Sequence, residues 1–143
     1  MAIYHLAVKS VSRSTGRSAV AAVAYRAGAC LENERDGLVH DYTRRGGVED
    51  AFIVVPEGAE WAQDRSTLWN AAEAAEKRKD AKVAREYELG LPAELDAGQR
   101  RDLVRAFAED IRDRYGVAVD AAIHAPHDYG DNRNHHAHVM TTT

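Results

Sequence analysis

The chain has little with which to staple or anchor itself. It contains one cysteine, Cys30, which excludes an internal disulfide and fits a reducing cytoplasm. No apolar run approaches the roughly 18 residues of a membrane span. The N-terminus has no apolar core followed by small residues of the kind a secretory signal needs. Internal repeats, low-complexity tracts and long linkers are also missing. So is a net positive charge: 19 Lys and Arg against 23 Asp and Glu leave −4. That deficit argues against a nucleic-acid partner only if the charges are evenly spread, and they are not. Lys9, Arg13, Arg17 and Arg26 stand in the first 30 residues without a single acid. Lys77, Arg78, Lys79, Lys82 and Arg85 form a second basic run, while acids collect at Glu94, Asp96, Asp102, Glu109, Asp110 and Asp113. A basic face on an acidic body is compatible with this distribution.

What is present suits one soluble domain over residues 1–143. Hydrophobic residues make up 45% and charged residues 29%, an ordinary globular balance with enough length to bury a real core. Because the sequence stops at Thr143, in or just after a strand, the expectation is an N-terminal piece of a longer protein.

Alternation predicts strands over Met1–Val11, Leu38–Tyr42, Ala51–Val55, Lys82–Leu91, Val117–Ala125 and His135–Thr142. Helices are predicted from an N-cap at Ser18 to about Ala29, over Trp61–Lys79, and over Asp96–Tyr115, where Leu103, Phe107 and Ile111 recur every four residues. Helices interspersed among strands predict an α+β sandwich with one sheet face covered by helices.

Side chains alternate across a strand, so each predicted strand has two readable faces. His136 and His138 share one; Glu86 and Glu88 share another; Asp120 and His124 lie opposite the apolar Val117, Val119, Ala121 and Ile123; His5 and Lys9 lie opposite Tyr4, Leu6 and Val8. Four strands thus predict an apolar face under the helices and a second face dense in imidazole and carboxylate. A merely solvated face would favour Lys, Thr and Ser instead.

His136-Ala137-His138 places two imidazoles on one face about 7 Å apart along the strand. His127, nine residues upstream of His136, is near enough for a loop to return it as a third ligand. Three neutral imidazoles with an open position are the pattern of a catalytic rather than a structural metal site. An acidic partner should orient one ring through its other nitrogen; Glu86 is the leading candidate, with Glu88 and Asp120 as alternatives. The competing reading is a polar, His-rich surface strand that holds no ion. Imidazole ligands favour Zn, Mn, Ni or Cu over Mg.

On the first helix, Tyr25 is the one large polar-tipped side chain in a run of alanines and valines. It reads as a core tyrosine or as a nucleophile. A phenol is neutral at pH 7, so attack on phosphorus needs a nearby cation or base, and Arg26 beside it can bind a phosphate.

These residues, in this order, resemble the N-terminal relaxase domain of the MobA/MobL type. The match is carried by Met1-Ala2-Ile3-Tyr4-His5-Leu6, by Arg13-Ser14 through Tyr25-Arg26-Ala27-Gly28, and by Asp41-Tyr42-Thr43. It continues in Leu68-Trp69-Asn70 through Glu76-Lys77-Arg78, in Arg85-Glu86-Tyr87-Glu88 before Leu91-Pro92, and in His127 through Met140. The resemblance implies a circularly permuted HUH endonuclease fold: a palm-type (RRM-like) antiparallel sheet of five strands, helices packed on it, and the nucleophile near the N-terminus. It implies that Tyr25 is the catalytic tyrosine, Glu86 the acidic residue of the site, and His127, His136 and His138 the metal ligands; the His127 to His136 spacing keeps His124 open as the alternative third ligand.

The implied cofactor is a divalent ion, Mn²⁺ or Mg²⁺, in a site that Zn²⁺, Ni²⁺ or Co²⁺ could also take. The implied substrate is single-stranded DNA at a plasmid origin of transfer, a hairpin plus nic site. Its backbone would be tracked by Arg13, Arg17, Arg26, Lys77, Arg78 and Lys79. Accessory relaxosome proteins and a coupling protein would be partners, with no membrane role. Two other readings use the same residues: a rolling-circle replication initiator or hydrolytic metallonuclease, and a non-catalytic, metal-responsive DNA-binding domain.

Overall fold

The computed structural model describes residues 5–126 and 135–143. Its centre is a five-stranded antiparallel sheet in the order β1-β5-β7-β6-β4, built from β1 (His5–Ser12), β4 (Val48–Val54), β5 (Lys82–Gly90), β6 (Val119–His124) and β7 (His136–Thr141). A separate hairpin pairs β2 (Cys30–Asn33) with β3 (Leu38–Asp41). Among the described residues three α-helices complete the fold: α1 (Ala19–Ala27), α2 (Arg65–Ala75) and α3 (Ala97–Tyr115). None of the described helices is long and apolar enough to cross a membrane.

The helix ends follow their sequence signals. The Ser18 side chain accepts the Ala21 amide, and Asp96 with Gln99 forms a reciprocal capping box, each worth about 1 kcal/mol. Gly28 ends α1 at φ 66°, a left-handed conformation that glycine adopts without steric penalty. A Cβ there would meet Val48 Cγ2 at 3.4 Å, so the turn out of α1 also packs against β4.

The strand faces sort as alternation predicts, but their cover differs. α3 lies on the face of Leu89, Val119, Ala121, Ile123, Ala137 and Val139, burying Val104, Ala108 and Ile111 there. Each fully buried aliphatic side chain contributes about 1.5–3 kcal/mol. The opposite face is not left open: α1 and α2 pack on part of it, joining Val20, Val23, Leu68 and Trp69 to Ile53, Ala84 and Met140. The apolar residues on that mixed face give these helices their seat. At the β1 edge the expectation fails the other way. Leu6 and Val8, predicted to face helix cover, are 55% and 56% exposed, because the α3-side cluster goes no further than Tyr87 and Leu89 of β5.

Candidate metal centre

The site sits where sheet register and the end of one helix coincide. His124 pairs directly with His136, and His138 with Ala122 and Glu88. The next row of the same face holds Lys9, Glu86, Met140, Asp120 and Ile53 in cross-strand register. Directly paired side chains in antiparallel sheets start about 5 Å apart, so three imidazoles meet by register alone. Their ring centroids are 5.0, 4.7 and 5.2 Å apart. One nitrogen from each of His124, His136 and His138 lies within 4.8 Å of the others.

Two further contacts choose the nitrogens. His124 Nε2 is 2.8 Å from the Arg26 carbonyl. That carbonyl belongs to the last turn of α1, where carbonyls lack intrahelical partners, so the ring donates Nε2–H and keeps Nδ1 as a bare lone pair. Nδ1 in turn lies 3.3 Å from His136 Nε2. Two nitrogens each about 2.1 Å from one ion at a tetrahedral angle would stand about 3.4 Å apart, so the donor set fits a divalent ion. Burial is the main cause that pushes His124 down to about 4, helped by His138, Arg45 and His136 against the opposing pull of the Arg26 carbonyl. A ring held neutral near pH 7 is in the state a metal requires.

On the other side, His138 Nδ1 lies 3.3 Å from Glu86 Oε2, leaving Nε2 for an ion. Glu86 is 1% exposed and is also paired with Arg26, whose Nη2 donates to Oε1 at 3.3 Å. Burial alone would raise Glu86, but His138 and Arg26 outweigh it and hold the carboxyl at about 2. It is therefore an anion set beside the His138 ring, where it can act as the acidic partner of a ligating imidazole. Tyr25, on the last turn of α1, is 45% exposed. Its ring stands edge-on to Tyr42 at 5.2 Å and carries the Arg45 guanidinium 4.4 Å above it. Tyr25, Arg45, Gly47, His124 and His136 line one cleft of about 390 Å³.

The MobA/MobL family profile matches residues 17–143. A mobilization protein MobL from Acidithiobacillus ferridurans is 54% identical over 88% of this chain and 33% of its own length. A probable mobilization protein MobA from Bifidobacterium longum is 39% identical over 98% of this chain and 24% of its own. A conjugal transfer protein TraA from Rhizobium radiobacter is 39% identical over 99% of this chain and 14% of its own. The chain belongs to the MobA/MobL family. It spans a third or less of the length of these relatives. A solved structure described as "Molecular Basis of Vancomycin Resistance Transfer in Staphylococcus aureus" superposes with a TM-score of 0.89 at 33% identity, covering 99% of this chain and 70% of that one.

Within this MobA/MobL domain, the structure brings together His136, His138, Glu86 and, as third imidazole, His124. His127 lies outside the described residues. His135 turns to the α3 side, 3.9 Å from Glu49. Of the alternative acidic partners, Glu88 is salt-bridged to Lys9 at 2.9 Å. Asp120 belongs to α2 instead, accepting from Arg65 at 2.7 and 3.0 Å and from Trp69 Nε1 at 2.9 Å.

The basic residues divide. Arg13 is 8% exposed. Its guanidinium donates to the Glu73 carboxylate at 2.6 and 3.1 Å and to the carbonyls of Glu73, Glu76 and Arg78. The expectation that it contacts DNA is therefore corrected: its donors are used inside the fold. Arg26 is held on Glu86 and does not stand free beside Tyr25. Arg17, Lys77 and Lys79 are exposed, and Arg78 is exposed but paired with Asp80. Sequence reasoning missed Arg45. It sits in a loop of two arginines and two glycines, Arg44 to Gly47, and nothing in its spacing points to Tyr25. Its Nη1 is buried with no hydrogen-bond partner among the described residues.

Proposed function

We propose that this domain nicks and rejoins one DNA strand at a plasmid origin of transfer through a covalent phosphotyrosine, the entry step of conjugative mobilisation. The observation that carries the proposal is that Tyr25, His124 and His136 line the same cleft. A phenol and imidazoles sharing one cleft suit phosphoryl transfer, in which positioning and charge neutralisation do most of the work. Membership of a family whose relatives are named for mobilisation and conjugal transfer supports the same reading.

In this mechanism the Tyr25 Oη–P bond forms in line as the P–O3′ bond breaks. The phenolic proton ends on the departing oxygen, giving a 5′-phosphotyrosyl link and a free 3′-hydroxyl. One phosphodiester replaces another, so the reverse attack by a 3′-hydroxyl reseals the strand. A divalent ion, Mn²⁺ or Mg²⁺, held by His124, His136 and His138 would neutralise charge on the scissile phosphate. Glu86 fixes the His138 ring, and the Arg26 carbonyl fixes the His124 ring. Arg45, whose guanidinium lies over the Tyr25 ring and whose Nη1 has no partner among the described residues, binds a phosphate oxygen beside the nucleophile. The substrate strand is single-stranded or extruded DNA, and accessory relaxosome proteins and a coupling protein complete the transfer machinery.

The test is incubation with a single-stranded oligonucleotide carrying the origin of the encoding plasmid, with Mn²⁺ or Mg²⁺. Wild type should give a protein–DNA adduct that survives a denaturing gel, and Tyr25→Phe should give none. An adduct from Tyr25→Phe would remove Tyr25 as nucleophile. Cleaved product without any adduct would mean that water attacks instead.

A further inference from the structure

A second cleft, of about 440 Å³, opens along α1 on the N-terminal side of Tyr25. One wall is α1 itself, where Ala21 and Ala22 leave open space; the other is the β2–β3 hairpin. Three features set it apart from ordinary surface. First, it is cationic. Arg17, Arg35 and Lys79 line it and are exposed; none makes an ion pair among the described residues. The one acid on its wall, Asp36, has a carboxylate oxygen engaged by the Leu38 amide at 2.9 Å.

Second, Asn33 lines the cleft at 1% exposure, and among the described residues neither its Oδ1 nor its Nδ2 has a hydrogen-bond partner. His40 Nε2, on the facing strand, is also buried without one. A buried polar group left unmatched costs about 1–3 kcal/mol, and native folds retain few of them. A carboxamide that offers a donor and an acceptor side by side has the pattern that pairs with a nucleobase edge. Third, the cleft lies along the helix that carries the candidate nucleophile. Ser18, Ala21 and Ala22 face it, and Tyr25 follows on the same helical face. Ser18 and Tyr25 are separated by seven residues, a rise of about 10 Å, within the reach of a few nucleotides.

We propose that this cleft is a nucleotide subsite. It receives an unpaired nucleotide of the strand that Tyr25 attacks, with Arg17, Arg35 and Lys79 on the backbone phosphates and Asn33 and His40 on the base edge. The inference rests on the reading above that the substrate is single-stranded DNA, and it adds where that strand runs and which side chains contact a base.

The experiment is fluorescence anisotropy of the whole chain, in chelator so that no adduct forms, with labelled oligothymidine, oligoadenine and an abasic oligomer of equal length. At least one base-bearing strand should bind more tightly than the abasic strand. Asn33→Ala should abolish most of that preference, roughly tenfold for a bidentate contact, with no loss of thermal stability. Arg17→Ala and Arg35→Ala lie at the exposed rim, where folding is not at issue. Each should lower the slope of log affinity against log salt by about 0.7.

Abasic and base-bearing strands binding alike would overturn the base contact. An Arg17→Ala/Arg35→Ala double variant with wild-type affinity and salt slope would overturn the subsite. The adduct assay separates this from the transesterification reading. An adduct with unchanged variants sinks the subsite alone, whereas altered slopes and base preference with no adduct sink the chemistry and leave the subsite standing.

Discussion

Arg13→Ala separates an internal arginine from a DNA contact. In the native fold five donor–acceptor contacts converge on this guanidinium: two to the Glu73 carboxylate and one each to the carbonyls of Glu73, Glu76 and Arg78. The two charged side chains are 4% and 2% exposed. Truncating Arg13 leaves the Glu73 carboxylate buried with, among the described residues, only the Ala19 amide, 2.7 Å away, and deprives three backbone carbonyls of a donor. Removing one partner of a buried ion pair costs about 3–5 kcal/mol. For a domain of this size that lowers Tm by about 10–15 °C, read by calorimetry or circular dichroism. Replacing both partners, as in Arg13→Met/Glu73→Leu, should recover most of the loss, because a well-packed apolar pair is often as stable as a buried ion pair. The reasoning is refuted if Arg13→Ala melts with wild type and instead weakens oligonucleotide binding, since Arg13 would then be facing DNA.

Three further outcomes follow from the site. His136→Ala or His138→Ala should abolish stoichiometric Mn²⁺ binding in titration calorimetry, and retained binding in both would remove the imidazole cluster as the metal centre. Glu86 is held at about 2 by His138 and Arg26, below its unfolded value of about 4.5. Its stabilisation, on the order of 3 kcal/mol, should therefore be fully present above pH 4.5 and fall away as pH drops toward 2. In urea titrations of the metal-free protein, wild type should lose more stability than Glu86→Gln between pH 5 and 2.5; parallel curves would contradict the pairing. Arg45→Ala should slow adduct formation about a hundredfold, the usual effect of losing a donor to developing charge, while leaving metal affinity unchanged; an unaltered rate would show that Arg45 does not reach the phosphate.

The parts of this molecule legible in sequence are those where local pattern and tertiary outcome agree. α3 announces itself through Leu103, Phe107 and Ile111 and through the Asp96–Gln99 cap, and it forms as read. The α+β sheet with a His- and acid-rich face was also legible, because strand alternation survives folding. What alternation cannot report is what lies on each face. Met140 shares a face with the histidines and packs with Val20 and Val23 of α1 over part of it. Leu6 and Val8 alternate correctly, yet at the sheet edge no helix reaches them. β2 was missed because Cys30–Asn33 follows α1 directly and is too short for a period to show. Asp120 and Arg13 carry charges that alignment on a face or in a basic run assigns to the surface; only their burial against Arg65, Trp69 and Glu73 reveals them as internal ties. Arg45 depends on where one loop falls, which no spacing encodes.

The hydrogen bond from His124 to the Arg26 carbonyl gives the domain an uneven tolerance of change. His136 and His138 are placed by strand register alone, whereas Tyr25 and the His124 tautomer both hang on the final turn of α1. A single-residue insertion within that helix would swing every downstream side chain by about 100° and disturb the proposed nucleophile and one candidate ligand together, while sparing the two histidines of β7. If the proposed chemistry holds, such an insertion should therefore remove adduct formation while leaving the His136 and His138 pair in register.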